Sequence, residues 1–275
     1  MPYRKRLYLY LLLLIVAVVV MILLRTGMGG SRSTPLAPRD YSEIISSGEL
    51  NVVTDYNSIG LYVSGDSLQG FQREMILALE KEWGIKVNLF LENSLDENLE
   101  GLQAMRYDLV ARNIPVNMQL KDTFAFSNPI TLNKQVLVQR KQEYNDSIGP
   151  IRQHLDLAGK TIRVAADSPA ILRLNNLSHE IGDTIFIVED PTYEAEQLVM
   201  MVASGDIDFT VCDEKMALRL AKLLPEIDIE TDISFTQLEA WAVRKDSPVL
   251  LDSLNHWLDR FKTTRAFRQL YRKYY

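Results

Sequence analysis

The chain has 275 residues, with 47% hydrophobic and 24% charged content, which is ordinary for a globular protein of one or two domains. Its formal net charge is −6, and six of its 30 basic residues precede Asp40 in a stretch without acidic residues, so the remainder is strongly acidic. Nucleic-acid binding requires clustered basic side chains against phosphates, so this acidic body argues against that class of protein.

The N-terminal residues have the pattern of a membrane segment. Residues 7–24 contain no charge, Gly or Pro, and their length meets the minimum of about 18 apolar residues for a spanning helix. Three basic residues at positions 4–6 predict a cytoplasmic tail over residues 1–6 and a single-pass inner-membrane protein with its body in the periplasm. A cleaved signal peptide is the alternative, although residues 26–29 match its A-x-A-like cleavage site poorly.

Beyond this segment the chain divides into a linker and a folded body. Residues 25–40 are rich in Gly, Ser, Pro and Arg and lack periodicity, as a flexible linker does. From Tyr41 onward, short apolar strand patterns alternate with amphipathic helical patterns, which predicts parallel sheets covered by helices. The predicted strands are 50–54, 86–91, 107–111, 135–139, 161–166, 184–188, 207–212, 227–230 and 238–243. The predicted helices are 71–83, 95–105, 169–179, 193–203, 214–223, 248–261 and 265–271.

Two successive β–α series, separated by a polar interval at residues 141–150, predict an α/β body of two lobes. The first lobe is predicted to comprise residues 41–139 plus 235–275, and the second residues 140–234, with crossings near Gln139 and Phe235. The strand pattern at 107–111 stops at Arg112 and Asn113, which delivers polar groups to a sheet edge. In open α/β sheets, small ligands bind at such an edge.

No motif in the sequence indicates catalysis, a metal or a cofactor. The three histidines lack metal-ligand spacing, and there is no P-loop, G-x-G-x-x-G or G-x-S-x-G pattern. Neighbouring acids such as Asp206 and Asp208 are too common to indicate a glycosidase. Cys212, the only cysteine, lies in an apolar run, which predicts a buried, inert thiol. We therefore expect a protein without enzymatic activity, metal or cofactor.

Five motifs in order along the body carry a family resemblance. They are SGELNV at 47–52, GFQRE at 70–74, RYDLVA at 106–111 followed by FSNP at 126–129, SGDIDFTVCD at 204–213, and LYRKY at 270–274. On these motifs the chain from about Ser42 to Tyr275 resembles the family 3 solute-binding proteins. Within that family it is most similar to the N-terminal module of membrane-bound lytic murein transglycosylase F.

This resemblance implies a two-lobed clamp of periplasmic-binding-protein type II that closes on a small ligand. The residues that it places toward the ligand are Tyr56, Arg112, Asn117, Ser168 and Asp213. Three of these have structural alternatives. Arg112 could pair with a nearby acid, Tyr56 could serve packing alone, and Asp213 could cap the helix that it precedes.

The resemblance also identifies two departures from the family's amino-acid binders. Their T-x-E-R run supplies an Arg for the ligand carboxylate, whereas the aligned run Asn117-Met118-Gln119-Leu120 places Leu120 there. Their second-lobe G-S/T-S/T run is matched by Asp167-Ser168-Pro169, in which an acid replaces Gly and Pro removes an N–H. Asp213, which in those binders takes the ligand ammonium, is retained.

The sequence thus predicts a membrane-anchored, extracytoplasmic and non-catalytic binding or sensor module for an amino-acid-like or peptidoglycan-derived ligand. Because the chain stops where the binding module of the transglycosylases would end, lytic activity is not carried over. The alternatives are the solute receptor of an ABC-type amino-acid uptake transporter, a regulatory protein related to lytic transglycosylases, and, behind these, an enzyme. The expected partners are the small ligand, the membrane through the N-terminal helix, and a transporter or cell-wall enzyme.

Overall fold

The computed structural model describes residues 38–145 and 149–275, and residues from Pro38 to Tyr275 form one compact unit. The predicted tail, membrane anchor and most of the linker therefore lie outside the described residues. Within the described ranges, no helix has the length and apolar character needed to cross a membrane.

The described elements alternate much as the periodicity predicts. The strands are β1 (Glu49–Thr54), β2 (Tyr62–Ser64), β3 (Ser67–Gln69), β4 (Lys86–Leu91), β5 (Leu109–Pro115), β6 (Phe124–Phe126), β7 (Thr131–Asn133), β8 (Gln135–Arg140), β9 (Thr161–Ala165), β10 (Phe186–Asp190), β11 (Phe209–Asp213), β12 (Ile227–Asp232) and β13 (Gln237–Arg244). The α-helices are α1 (Tyr41–Ser47), α2 (Phe71–Trp83), α3 (Leu95–Gln103), α4 (Met118–Lys121), α5 (Ala170–Ile181), α6 (Ala195–Ser204), α7 (Glu214–Ala221), α8 (Pro248–Thr263) and α9 (Arg265–Tyr274).

The first lobe is built on a sheet of order β4-β1-β5-β13-β6, with β7 also pairing with β13. Strands β4, β1 and β5 are parallel, and β13 runs antiparallel to β5. Consecutive strand residues point to opposite faces, so Val52 packs under α2, α8 and α9 while Val53 packs against α3. Strand β13 comes from the C-terminal segment, so this segment contributes a strand to the first sheet.

The second lobe is built on a sheet of order β10-β9-β11-β8-β12. Strand β8 belongs to it, where it pairs antiparallel with β11 and β12. The assignment of residues 135–139 to the first lobe was therefore wrong, and the first crossing lies just before Gln135. Val136 and Leu137 point into different clusters, so the strand is buried on both faces. Such an apolar run has no pattern that distinguishes one sheet from the other.

Strand β5 extends through Pro115 rather than ending before Arg112. Its extra length comes from antiparallel pairing with β13, where Ala240 lies opposite Ile114 and Glu239 opposite Pro115. This pairing joins segments far apart in the chain, and a local polar pattern cannot reveal it. The three-residue strands β2, β3, β6 and β7 were also missed, because they are too short to show a period.

A buried carboxylate fixes the start of the body to the first sheet. Asp108 lies 3.2 Å from a guanidinium nitrogen of Arg39 and 3.5 Å from one of Arg244. It also accepts a hydrogen bond from the backbone N–H of Asn51 on β1. Asp108 and Arg244 are buried, so the cluster replaces the water that these charges give up.

Candidate functional site

A cleft of about 190 Å³ lies between the two lobes and is lined by residues of both. The first lobe contributes residues that follow β1 and residues at the end of β5. The second lobe contributes the loops before α5 and α6 and the junction of β11 with α7. Cavities for drug-sized ligands are about 300–1,000 Å³, so this cleft suits a smaller molecule.

The structure brings together four of the five predicted ligand-facing residues. Tyr56, Arg112, Ser168 and Asp213 line the cleft. Asn117 is not among the lining residues, and its Oδ1 accepts a 2.8 Å hydrogen bond from the backbone N–H of Leu120, which caps α4. Its position in the sequence resembles a ligand-binding run, but its local role is that of a helix cap.

Arg112 forms an ion pair with a nearby acid, which was the alternative to ligand binding that the sequence left open. Its guanidinium lies 3.5 Å from the Asp55 carboxylate and donates a 2.7 Å hydrogen bond to the carbonyl oxygen of Asn93. Both charged side chains are largely buried. Arg112 therefore lines the cleft with a charge that Asp55 offsets. Asp55 follows β1 directly, so the rule that small ligands bind where strands of an open α/β sheet end could have found it.

Asp213 occupies the N-cap position of α7, but its side chain makes no capping hydrogen bond. The capping interpretation was therefore wrong. Burial raises the pKa of the Asp213 carboxyl to about 8, and the negative charges of Glu239 and Asp55 add to this effect. Arg112 and Lys215 act in the opposite direction. Near neutral pH this carboxyl is poised to gain or lose a proton.

Gln135 lies beside Asp213 and was missed by the sequence analysis. The two residues are directly opposite each other in the antiparallel pairing of β8 with β11. Gln135 is only 5% exposed and lines the cleft, and its side-chain oxygen has no hydrogen-bond partner among the described residues. A buried polar atom without a partner costs free energy of about 1–3 kcal/mol. The cleft thus contains an acceptor that a ligand can satisfy.

Glu239 adds a buried carboxyl close to the crossing between the lobes. It accepts hydrogen bonds from the Thr131 hydroxyl at 2.6 Å and from the Asn133 amide at 3.2 Å. Burial raises the pKa of the Glu239 carboxyl, and these two hydrogen bonds oppose the rise. Its location on β13 places negative charge behind Asp213.

Hydrogen bonds join the lobes across the cleft. The backbone N–H of Ser58 donates to the Glu196 carboxylate at 2.7 Å, and the Ser94 hydroxyl donates to the Asp167 carboxylate at 2.8 Å. Asp167 has a φ of 60°, a left-handed conformation that Asp adopts more readily than most residues. The aligned family position is usually Gly, which adopts it freely.

Lys215, the second cation of the lining, is held by tyrosines. Its ammonium donates a 2.9 Å hydrogen bond to the Tyr271 hydroxyl and lies 4.0 Å from the ring centroid of Tyr275. Tyr275 in turn accepts a 2.9 Å hydrogen bond from the Asn113 amide. The C-terminal helix α9 thereby orients one wall of the cleft.

The remaining chemistry of the described residues is limited. Cys212 is buried as predicted, and burial raises the pKa of its thiol, which disfavours the reactive thiolate. Among the residues that the structure describes, no group of three or more His, Cys, Asp or Glu side chains could hold a metal ion.

Comparisons with known proteins match this architecture. Residues 50–275 match the model of the bacterial extracellular solute-binding proteins, family 3. The chain is 27% identical over 228 residues to membrane-bound lytic murein transglycosylase F of Desulfosudis oleivorans, covering 83% of this chain and 49% of that protein. It is 26% identical over 250 residues to the protein of the same name from Cellvibrio japonicus, covering 89% and 48%. The chain thus spans about half the length of these relatives.

A solved structure of an ancestral arginine-binding protein bound to arginine has the same fold, with a TM-score of 0.72 and 23% identity. The similarity covers 83% of this chain and 98% of that one. The family match extends over most of the chain, from β1 to the last residue. The chain therefore belongs to the family 3 bacterial extracellular solute-binding proteins.

Proposed function

We propose that this protein is a membrane-anchored, extracytoplasmic and non-catalytic binding module whose two lobes close on a small amino-acid-like or peptidoglycan-derived ligand. The observation that carries the proposal is the cleft lined by both lobes and bridged by the Ser58–Glu196 and Ser94–Asp167 hydrogen bonds. A ligand that contacts both walls favours the closed arrangement by its extra contacts there. Family membership and the relatives named lytic murein transglycosylase F support a ligand of the cell envelope.

A solute receptor of an amino-acid uptake transporter is the second candidate, favoured by the fold shared with the arginine-bound ancestral protein. Against it, Leu120 packs beside the apolar cluster around Leu95 and Leu99, where amino-acid binders of the family carry the carboxylate-binding Arg. Losing a charge-assisted contact of about 1.5–3 kcal/mol weakens affinity about tenfold or more. This departure favours a sensor over a general amino-acid receptor.

Ligand-dependent closure is measurable by fluorescence energy transfer between dyes on the two lobes. Lys81 on α2 and Glu189 on β10 are exposed, so both can be changed to Cys and labelled while the buried Cys212 stays unmodified. We expect amino acids, muropeptides or related amines to raise the transfer efficiency of the full chain in detergent. Absence of any change across these ligands, together with an unchanged melting temperature, would contradict the proposal.

Anchoring has a separate test. The full chain is expected to stay with the membrane pellet after alkaline carbonate washing and to be digested by protease added to spheroplasts. A chain lacking residues 7–24 is expected to lose both properties. Recovery of a shortened, soluble periplasmic form from the unaltered chain would support the cleaved signal peptide instead.

A further inference from the structure

We infer that the cleft binds an organic cation without a carboxylate, such as an aliphatic diamine or its guanidinium analogue. The inference rests on the proposed ligand-binding function and specifies its ligand class. It depends on the charges that line the cleft, on how the two cationic side chains are engaged, and on a pair of unpartnered acceptors.

The lining has more carboxylates than cations. Five acidic residues line it, and the basic residues among the described lining are Arg112 and Lys215. The five acids are Asp55, Asp167, Glu194, Glu196 and Asp213. Burial and the charges of Asp55 and Glu92 raise the pKa of the Glu194 carboxyl, and the Arg112 charge opposes this rise. A partly desolvated cleft of this charge favours a cation and opposes an anion.

Both cations of the lining already have partners within the protein. Arg112 is paired with Asp55 and bonded to a backbone carbonyl. Lys215 directs its ammonium to the Tyr271 hydroxyl and the Tyr275 ring. Leu120 is half-buried against apolar side chains. A ligand carboxylate would therefore compete with these partners for the two cations, which weakens the compensation for its desolvation.

Gln135 and Asp213 supply the acceptors for an ammonium group. They are directly opposite in the β8–β11 pairing, so their side chains project from the same face about 4.5–5.5 Å apart at Cβ. The Gln135 oxygen has no partner, and no described residue donates a hydrogen bond to the Asp213 carboxylate. An ammonium carries three donors and no acceptor, so it can satisfy both groups at once. The backbone pairing, rather than a loop, fixes their spacing.

The protonation of Asp213 adds a second readout of cation binding at this position. The carboxyl is surrounded by Glu239 on β13, Asp55 after β1, Arg112 on β5 and Lys215 on α7, and its pKa lies at about 8. A bound cation stabilises the ionised form, so binding near pH 7 releases a proton. The ionised fraction rises between pH 6 and 8, and affinity for a cation is expected to rise by at least about tenfold over that interval.

The test compares ligands that differ by one carboxylate. Isothermal titration calorimetry on the full chain in detergent would use agmatine against arginine and cadaverine against lysine. We expect the member without the carboxylate to bind at least about tenfold more tightly, with heats that depend on the buffer's ionisation enthalpy because a proton is released. Equal or tighter binding of the amino acids overturns the inference, and so does binding without proton release.

Variants locate the site. Asp213→Asn is expected to weaken agmatine and cadaverine at least about tenfold and to abolish proton release, whereas Asp252→Asn, which removes an exposed carboxylate on α8, is expected to change neither. Gln135→Leu, which removes the unpartnered acceptor while keeping volume, is expected to weaken the amines several-fold. If Asp213→Asn fails to fold, unchanged affinity in Gln135→Leu still overturns the site.

Failure of the inference and failure of the proposed function give different results. Binding of muropeptides or zwitterionic amino acids without binding of the amines overturns the cation class and leaves the binding module standing. No response to amines, amino acids or muropeptides contradicts both.

Discussion

The backbone N–H of Ser58, in the first lobe, donates a 2.7 Å hydrogen bond to the carboxylate of Glu196, in the second. The Glu196 side chain also lines the cleft. The Glu196 carboxylate therefore both faces the cleft and links the two lobes. A charged acceptor makes this hydrogen bond stronger than a neutral one, with a net contribution of about 1.5–3 kcal/mol.

Replacing Glu196 by Gln should shift the protein toward open forms. The amide can still accept the Ser58 N–H, but without the charge, so the closed arrangement loses stability. We expect lower energy transfer between dyes at positions 81 and 189 and a ligand affinity reduced about three- to tenfold. Glu143→Gln, at an exposed position, serves as the control. Unchanged energy transfer in Glu196→Gln would show that this contact does not hold the lobes.

Removing the guanidinium of Arg112 should change the titration of Asp213. Arg112 lowers the pKa of the Asp213 carboxyl, so Arg112→Met is expected to raise that pKa above its value of about 8. The titration can be followed by the carboxyl carbon signal in NMR. Arg163→Met, which removes the partner of Asp190 outside the cleft lining, should leave Asp213 unaffected. A lowered or constant pKa in Arg112→Met would contradict the described electrostatics.

Asp213 should destabilise the ligand-free protein at neutral and mildly alkaline pH. Its pKa is about 8 in the folded protein and about 3.9 in the unfolded chain, so the folded state holds the proton more tightly between these values. Below about pH 4 the carboxyl is protonated in both states and does not reduce the free energy of unfolding. As the pH rises from there toward 8, the contribution of this group lowers the free energy of unfolding.

Asp213→Asn removes that dependence. We expect its melting temperature to exceed that of the unaltered protein at pH 8, by the equivalent of a few kcal/mol at about 1.4 kcal/mol per pKa unit, and the difference to shrink toward pH 4. Differential scanning calorimetry across this range measures it. Asp252→Asn should show no such trend. A variant less stable than the unaltered protein at pH 8 would contradict the raised pKa.

The buried cluster of Asp108 with Arg39 and Arg244 should contribute far more to stability than an exposed pair. Asp108→Asn leaves buried guanidinium charge without its partner and is expected to lower the free energy of unfolding by about 3–5 kcal/mol in urea titrations. Asp208 pairs with Arg140, and its own side chain is 50% exposed. Asp208→Asn is expected to cost at most about 1 kcal/mol. Similar losses in the two variants would contradict a structural role for the buried cluster.

The sequence alone predicted the secondary structure well wherever a local pattern of residues determines where a helix or strand begins and ends. Helix α2 and strand β4 have the predicted bounds, because the apolar stripe of 71–83 ends at Gly84, which adopts a left-handed conformation. The family resemblance also placed Leu120 where the family's amino-acid binders carry an Arg for the ligand carboxylate. The family resemblance placed Tyr56 and Ser168 toward the ligand, and both residues line the cleft.

Which residues come together in the cleft could be identified only from the tertiary structure. The Gln135–Asp213 pair is formed by the β8–β11 register, and β8 was assigned to the other lobe because a strand buried on both faces has no distinguishing pattern. The acid that pairs with Arg112 and the charges near Asp213 also come from segments far apart in the chain. Composition and periodicity therefore predicted a two-lobed α/β body, and the family resemblance implied a ligand-binding clamp with Leu120 in place of the usual carboxylate-binding Arg. The charge inside its cleft was decided only when folding brought Asp55, Gln135, Asp213 and Glu239 together, because distances in space, not along the chain, set their pKa values and hydrogen bonds.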